Sequence, residues 1–248
     1  MLPFTLTERE AHRAMEHWLK GLWFAPNGLK KYASASRQME GIYTPYWTYD
    51  AKTASQYRGQ RGTDHTTSVS DGKGGRRSST TTTWRRVTGQ VRLAFDDLLV
   101  LASESLPKRF TDTLAPWDLT ALAPYQPEFL SGFRAEAYSI DLETGMEEAR
   151  ARMDQAIRAA IRRDIGGDHQ RIDHVDTEIW DVTFKHILLP VWVSAYRYGG
   201  KSYRFVVNGQ TGKVMGERPY SAIKIAIGLI LAALLALGLA YVYDGYIR

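Results

Sequence analysis

Apolar positions recur at helical spacing near the start of the chain, where Ala11, Ala14, Met15, Trp18, Leu19 and Leu22 share one face. Thr7 and Glu10 precede them in the T-x-x-E spacing of a capping box, which predicts a helix start. Trp23, Phe24 and Pro26 end that helix. NGLKKYASASRQM reads as a second short helix, so residues 1–40 form an N-terminal helical segment. The pattern then changes. GIYTPYWTYDAKTASQYRG is rich in Tyr, Trp and Thr, which suit a pleated, half-buried surface, and Pro45 marks a strand start or an edge. Residues 63–83 are polar and glycine-rich and predict a loop or hairpin tip, with the threonine run leading as a strand into Trp84. Leu98 to Leu101 make a continuous buried run. Four prolines follow before residue 133 and predict short helices and turns around a β-rich subdomain spanning 41–133.

The next span, 134–218, predicts a helix and an antiparallel meander. Arg134 to Ile140 reads as a returning strand. From near Leu142, Met146, Ala149, Met153, Ala156, Ile157, Ala160 and Ile161 define one helix face, and Arg150, Arg158, Arg162 and Arg163 mostly the other. Gly166-Gly167 stops it. Three strands are expected after it: one from His169 to Phe184, then ILLPVWVSAYRY, then KSYRFVVN. Tyr203, Phe205 and Val207 share the side expected to be buried. Asn208-Gly209 and Gly212 supply turn positions that tolerate positive φ. This makes an α+β fold with one sheet face covered by a helix.

Residues 219–224 form a short linker. Beyond it, IAIGLILAALLALGLAYVY from Ile225 to Tyr243 is nineteen residues without a charge. A helix of about 20 residues crosses the hydrocarbon core of a bilayer, so 225–243 predicts one C-terminal transmembrane helix. Lys224 bounds it on one side. Tyr241, Tyr243 and Tyr246 bound it on the other, where amphipathic rings sit at the headgroup level. Lys213, Arg218 and Lys224 precede the span, and only Arg248, beside Asp244, follows it. The asymmetry predicts a cytoplasmic N-terminal domain. The first residues are charged too early for a secretory leader, so insertion by the tail is expected.

The net charge of +5 carries no dense basic tract. Residues 58–86 hold Arg58, Arg61, Lys73, Arg76, Arg77, Arg85 and Arg86 against Asp64 and Asp71. These arginines, with Tyr57 and Trp84, are the candidate contacts for an anionic ligand such as single-stranded nucleic acid or lipid headgroups. The chain has no cysteine, which excludes disulfides, thiolate nucleophiles and Cys-ligated zinc. His169, His174 and the carboxylates of Asp168, Asp176 and Glu178 form the densest His and acid segment, but a mixed-charge strand face accounts for them and no metal site is assigned. Asp96 and Asp97 are adjacent, so strand alternation points them to opposite faces, one able to pair with Arg85 or Arg86. No G-x-S-x-G elbow, phosphate-binding loop or Rossmann glycine pattern is present, so no catalytic residue and no cofactor is expected.

YTPYWTYDAKTASQYRGQRG, WDLTALAPYQPEFLSGFRAEAY and LLPVWVSAYRYGGKSYRFVVNGQTGKVMGERPYS together resemble a bacterial family of membrane-anchored zinc-ribbon proteins, often labelled primosomal-helicase-like. The resemblance implies a ribbon, this domain and one transmembrane helix, and a place in the inner membrane. Without cysteine, the ribbon itself is not carried over. The resulting expectation is a single-pass, membrane-anchored cytosolic binding or scaffolding protein without evident catalytic activity, with the lipid bilayer and a membrane-associated protein as partners. The alternative is nucleic-acid binding close to the membrane.

Overall fold

The computed structural model describes residues 1–26, 38–70 and 76–247, with the side chains of 68–70, 76, 77, 241 and 244–247 outside the description. The short helix expected over NGLKKYASASRQM therefore lies largely outside the described residues. In chain order the elements are α1 (Glu8–Lys20), β1 (Glu40–Ser70), β2 (Arg76–Leu101), α2 (Lys108–Thr111), β3 (Arg134–Ala135), α3 (Leu142–Ile165), β4 (His169–Tyr198), β5 (Lys201–Asn208), β6 (Val214–Gly216) and α4 (Ala222–Ile247). The strand order is β2–β1–β4–β5–β6, with β3 paired to β1. This is the α+β, antiparallel β-rich architecture that the pattern predicts, followed by one long apolar helix.

The chain divides into two compact units that interleave along the sequence. One comprises Met1–Pro45, Ser103–Ala137 and Leu188–Arg248; the other comprises Tyr46–Ala102 and Tyr138–Ile187. They differ from the consecutive boundaries read at 133 and 218, because β1 and β4 each run through both units without a break in sequence pattern.

In the first unit α1 opens on the expected capping box. The Glu10 carboxylate accepts the Thr7 amide at 2.8 Å, and the Thr7 hydroxyl accepts the Glu10 amide at 3.4 Å. Ala11, Met15 and Leu19 pack against Trp192, Phe205, Val207 and Val214. The opposite side of β5 is buried too, with Val206 packed among Leu106, Phe110, Leu114 and Val191. Each such aliphatic side chain removed from water contributes about 1.5–3 kcal/mol. The Asn208 side chain organises the β5–β6 turn. Its amide donates to Leu114 O at 3.0 Å, and its oxygen accepts from the Gln210 and Thr211 amides at 2.8 and 2.9 Å. Of the turn positions expected to take positive φ, Gly212 does so, at +75°. Gly209 is required for space instead: a Cβ there would meet the Phe4 ring at 2.6 Å. The strand expected over 134–140 is limited to β3, a two-residue parallel pairing with Ile42 and Tyr43.

In the second unit β1 and β2 form a long antiparallel hairpin from Tyr46↔Leu101 to Ser70↔Arg76. The polar loop expected over 63–83, with its tip read from Asp64 to Gly75, is strand up to Ser70 and again from Arg76; residues 71–75 lie outside the described residues. Threonine explains the difference. Its branched side chain favours strands, and cross-strand pairs such as Thr82 Oγ1 to Asp64 Oδ1 at 2.6 Å support the ladder. α3 lays Ala149, Met153, Ile157, Ile161 and Ile165 on one face of the hairpin, against Tyr49, Ala51, Tyr57, Val87 and Val91. β4 lies antiparallel beside β1, as Lys52–Asp181, Ser55–Thr177 and Gln60–Asp173 contacts show. The two strands expected from His169 to Tyr198 are one continuous strand.

α4 is apolar along Ala222–Ala240 and none of that stretch is buried in the protein. A core helix of this composition would be covered. Its length and exposure fit a single membrane span.

Candidate functional site

Strand alternation in the second unit assigns each side chain a face. Tyr57 and Gly89 face α3, and the Tyr57 ring lies over Gly89, where a Cβ would come within 2.6 Å of the phenol oxygen. The Tyr57 hydroxyl donates to Asp164 of α3 at 2.6 Å. Burial, and then the Asp164 carboxylate, push its pKa up to about 12. The neighbouring positions Gln56, Arg58 and Gln60 point the other way, opposite Gln90, Thr88 and Arg86. With His174 and Asp176 of β4 they line two adjoining shallow concavities of about 680 and 430 Å³.

The same alternation separates the candidate anionic-ligand contacts. Arg58 and Arg86 share this helix-free face, whereas Arg61 and Arg85, paired with each other, face the α3 side. Arg61 donates to the Ile165 carbonyl and so closes the C-terminus of α3, where a cation also complements the helix dipole. The side chains of Arg76 and Arg77 lie outside the described residues. Arg171, absent from the expected set, stacks over Trp84 with 4.1 Å from guanidinium carbon to ring centre. Arg92 is a further exposed cation, on the face of Gln56 and Gln90. Acids interleave with these cations: Asp173 accepts from Gln60 at 3.3 Å, Asp176 lines the larger concavity, and Asp181 pairs with Lys52 at 2.9 Å.

β4 presents a second feature. Its ladder with β5 begins at Val191. Between His169 and Ile187, β1 occupies one flank, and among the described residues no strand pairs with the other. Along this stretch Trp180, Val182 and Phe184 are 41%, 43% and 54% exposed. Phe184 and His186 adjoin Trp47, and exposed Tyr138 completes the aromatic group. An open flank of this length is a template for an added strand. Charged side chains and the left-handed backbone at Asp181, where φ is +51°, restrain indiscriminate pairing.

The same end of the unit overturns the expectation for Asp96 and Asp97. Their carboxylates do not diverge: they converge with Asp50 so that ligand atoms lie within 4.8 Å of one another. The cause is backbone geometry. The β1–β2 register shifts between Tyr49 and Ala51, and Asp97 takes φ +49°. The partner is Lys185, not Arg85 or Arg86, with Nζ 2.9 Å from Asp97 and 3.7 Å from Asp50. Burial opposes ionisation of Asp50. The Asp97 amide, the Thr183 hydroxyl and Lys185 outweigh it and hold its pKa below the usual value. Lys185 is shifted up, chiefly by its hydrogen bond to Asp97. His169 and His174 are not drawn together: His169 bonds Asp64 at 3.1 Å, while His174 borders Arg58.

Of the expected membrane-interface residues, Lys213 donates to Ala115 O and Arg218 lies against the Tyr220 ring, 5.4 Å from its centre. Lys224 donates to Ala25 O at 2.8 Å, and Tyr243 is exposed. The side chains of Tyr241 and Tyr246 lie outside the described residues.

Comparison with known proteins adds one relative. The chain is 29% identical over 229 residues to the Uncharacterized protein YdjG of Bacillus subtilis (strain 168), covering 91% of this chain and 65% of that protein. The chain thus spans somewhat less than two thirds of that relative. No family model and no solved structure matches. This corrects the resemblance to membrane-anchored zinc-ribbon proteins: the likeness found is to a protein with no assigned activity, and a chain without cysteine holds no Cys-ligated ribbon.

Proposed function

We propose that this protein is a single-pass, membrane-anchored binding module that holds a membrane-associated protein partner on the open flank of β4. The observation that carries this is the flank of His169–Ile187 with which no strand pairs among the described residues, with its exposed Trp180, Val182 and Phe184. Backbone pairing supplies affinity there, and the exposed aromatics act as anchors. The cations ahead of α4 support a cytoplasmic domain at a bacterial inner membrane, with Lys213, Arg218 and Lys224 near one interface and Tyr241, Tyr243 and Tyr246 near the other. Catalysis draws no support from the helix-free face, whose charges are exposed and of mixed sign.

The test is site-specific photocrosslinking in membranes. A photoreactive residue at position 180 should give a discrete adduct that Phe184→Lys removes; the same residue at Arg150, on the solvent side of α3, should not. Equal yields at both positions would overturn the proposal. The second reading, nucleic-acid binding, draws on the Trp84–Arg171 stack beside Arg58 and Arg86. Interleaved acids count against it, because phosphate tracking needs an uninterrupted basic path.

A further inference from the structure

Trp23, Phe24 and Tyr220 are 62%, 43% and 59% exposed, a concentration of large aromatic surface beside the first turns of α4. They are held in place. The Ser221 amide donates to Phe24 O at 2.8 Å, the Lys224 ammonium donates to Ala25 O at 2.8 Å, and the Phe24 ring reaches Gly228, where a Cβ would sit 3.4 Å from it. Gly228 is six residues beyond Ala222, which at 1.5 Å per residue puts Phe24 level with a point about 9 Å along the helix. Between this turn and α4 lies an apolar groove of about 560 Å³, walled by Trp23, Phe24, Tyr220, Ile225, Leu229 and Leu235.

We infer that the Trp23–Phe24 turn is a second membrane contact, entering the same leaflet as the first turns of α4 and seating a phospholipid acyl chain in the groove between them. The inference rests on α4 being a span. Three things identify the occupant as lipid. The groove is continuous with the apolar surface of α4, and its walls offer almost nothing to hydrogen-bond. The turn also satisfies much of its own backbone, which lowers the cost of bringing a non-helical segment into hydrocarbon. The Ala25 amide donates to Leu22 O and the Trp23 amide to Gly21 O, both at 3.1 Å, and the Phe24 and Ala25 carbonyls are taken by Ser221 and Lys224. Lys224 therefore does more than mark a headgroup boundary: it closes an orphan carbonyl that would be costly in a dry environment. Arg218, stacked on Tyr220, is left to meet the headgroups.

The chain has no cysteine, so a single introduced thiol labels cleanly. Full-length Trp23→Cys and Leu229→Cys proteins, each carrying an environment-sensitive nitrobenzoxadiazole, are reconstituted in phosphatidylcholine–phosphatidylglycerol vesicles. Emission at position 23 should be blue-shifted. Lipids brominated on their acyl chains should quench it at least about half as strongly as at position 229. A label on Tyr220→Cys should follow position 23. Water-like, unquenched emission at both 23 and 220, with Leu229→Cys quenched and the protein resistant to carbonate extraction, would overturn the inference and leave the anchor standing. Unquenched emission at 229 as well would sink both readings.

Discussion

β5 and the outer part of β4 belong to the same sheet, yet they meet their surroundings in opposite ways. β5 has strands on both flanks and side chains buried on both faces: Phe205 and Val207 toward α1, Val206 toward Leu114. β4 between His169 and Ile187 has one flank paired, one face toward α3 and the rest exposed. Both carry aromatic and β-branched residues, and the β4 stretch adds His, acids and cations. What separates them is whether the backbone groups and side chains already have partners. A strand closed on every side is scaffold, and one left half-open is available for recognition.

The comparison breaks most readily at β5. Phe205→Ala should cost about 3–5 kcal/mol, the range for emptying a buried aromatic site, and should collapse the first unit. Denaturant unfolding of the detergent-solubilised chain measures it; a loss below about 1 kcal/mol would mean the two strands are not different in kind. Next comes Gly89→Val in the second unit. Its side chain would collide with the Tyr57 ring and should cost about 1–3 kcal/mol, with the Tyr57 phenol exposed to alkaline titration nearer its ordinary pKa.

A smaller effect is expected from the Asp50–Asp97–Lys185 group. The folded pKa of Asp50 is depressed, so its contribution is present above the ordinary carboxylate pKa and fades as pH falls through the lowered value. That of Lys185 is raised, so its contribution is present below the ordinary lysine pKa and fades as pH rises through the elevated value. The stability difference between the natural chain and Lys185→Met should be largest between about pH 5 and 9 and shrink on either side. With Lys185 half exposed it should stay within about 1 kcal/mol. A pH-independent difference would show that the cluster is held by packing alone.

The smallest stability effect belongs to the open strand. Phe184→Ala, at a side chain more than half exposed, should change stability by no more than about 0.5 kcal/mol while abolishing the adduct formed by the photoreactive residue at position 180. The nucleic-acid alternative sharpens the same contrast. Anisotropy with labelled single strands should give binding no tighter than about 10⁻⁴ M at physiological salt. Sub-micromolar, steeply salt-dependent binding lost on Arg58→Glu and Arg86→Glu would transfer the site to the helix-free face.

Periodic features were legible in the sequence. Thr7 and Glu10 announce α1, the four-residue spacing of Ala149, Met153, Ile157 and Ile161 announces α3, and the uncharged run after Lys224 announces α4. Each signal is local, so a short window contains it. The β1 arm from Asp64 to Ser70 read as loop because polarity suggested solvent, whereas the ladder is held by a partner strand; the threonine run of β2 was legible as strand. The convergence of Asp50, Asp96 and Asp97 was hidden because alternation assumes a regular strand, and the register shift and a left-handed residue break that rule. The basic cluster was legible as composition but not as a surface: alternation divides it, and Arg171 joins from a strand more than 80 positions away. The open flank of β4 was invisible, since having no neighbour is a property of the whole topology.

The interleaving of the two units fixes an order of events during synthesis. Every residue of the second unit, from Tyr46 to Ile187, has been made before β5 exists. α1 is made earliest, but its buried contacts, Trp192, Phe205, Val207 and Val214, are made late. Because loop closure must precede such distant contacts, the apolar face of α1 stays uncovered while the second unit acquires its core. Nascent chains arrested once residue 187 has left the ribosome should protect Tyr46–Ala102 from protease and leave Glu8–Lys20 open to it; equal protection would contradict this order. The first unit closes only as the apolar run of α4 is reaching the membrane, so completion of the fold and capture of the anchor fall together in time.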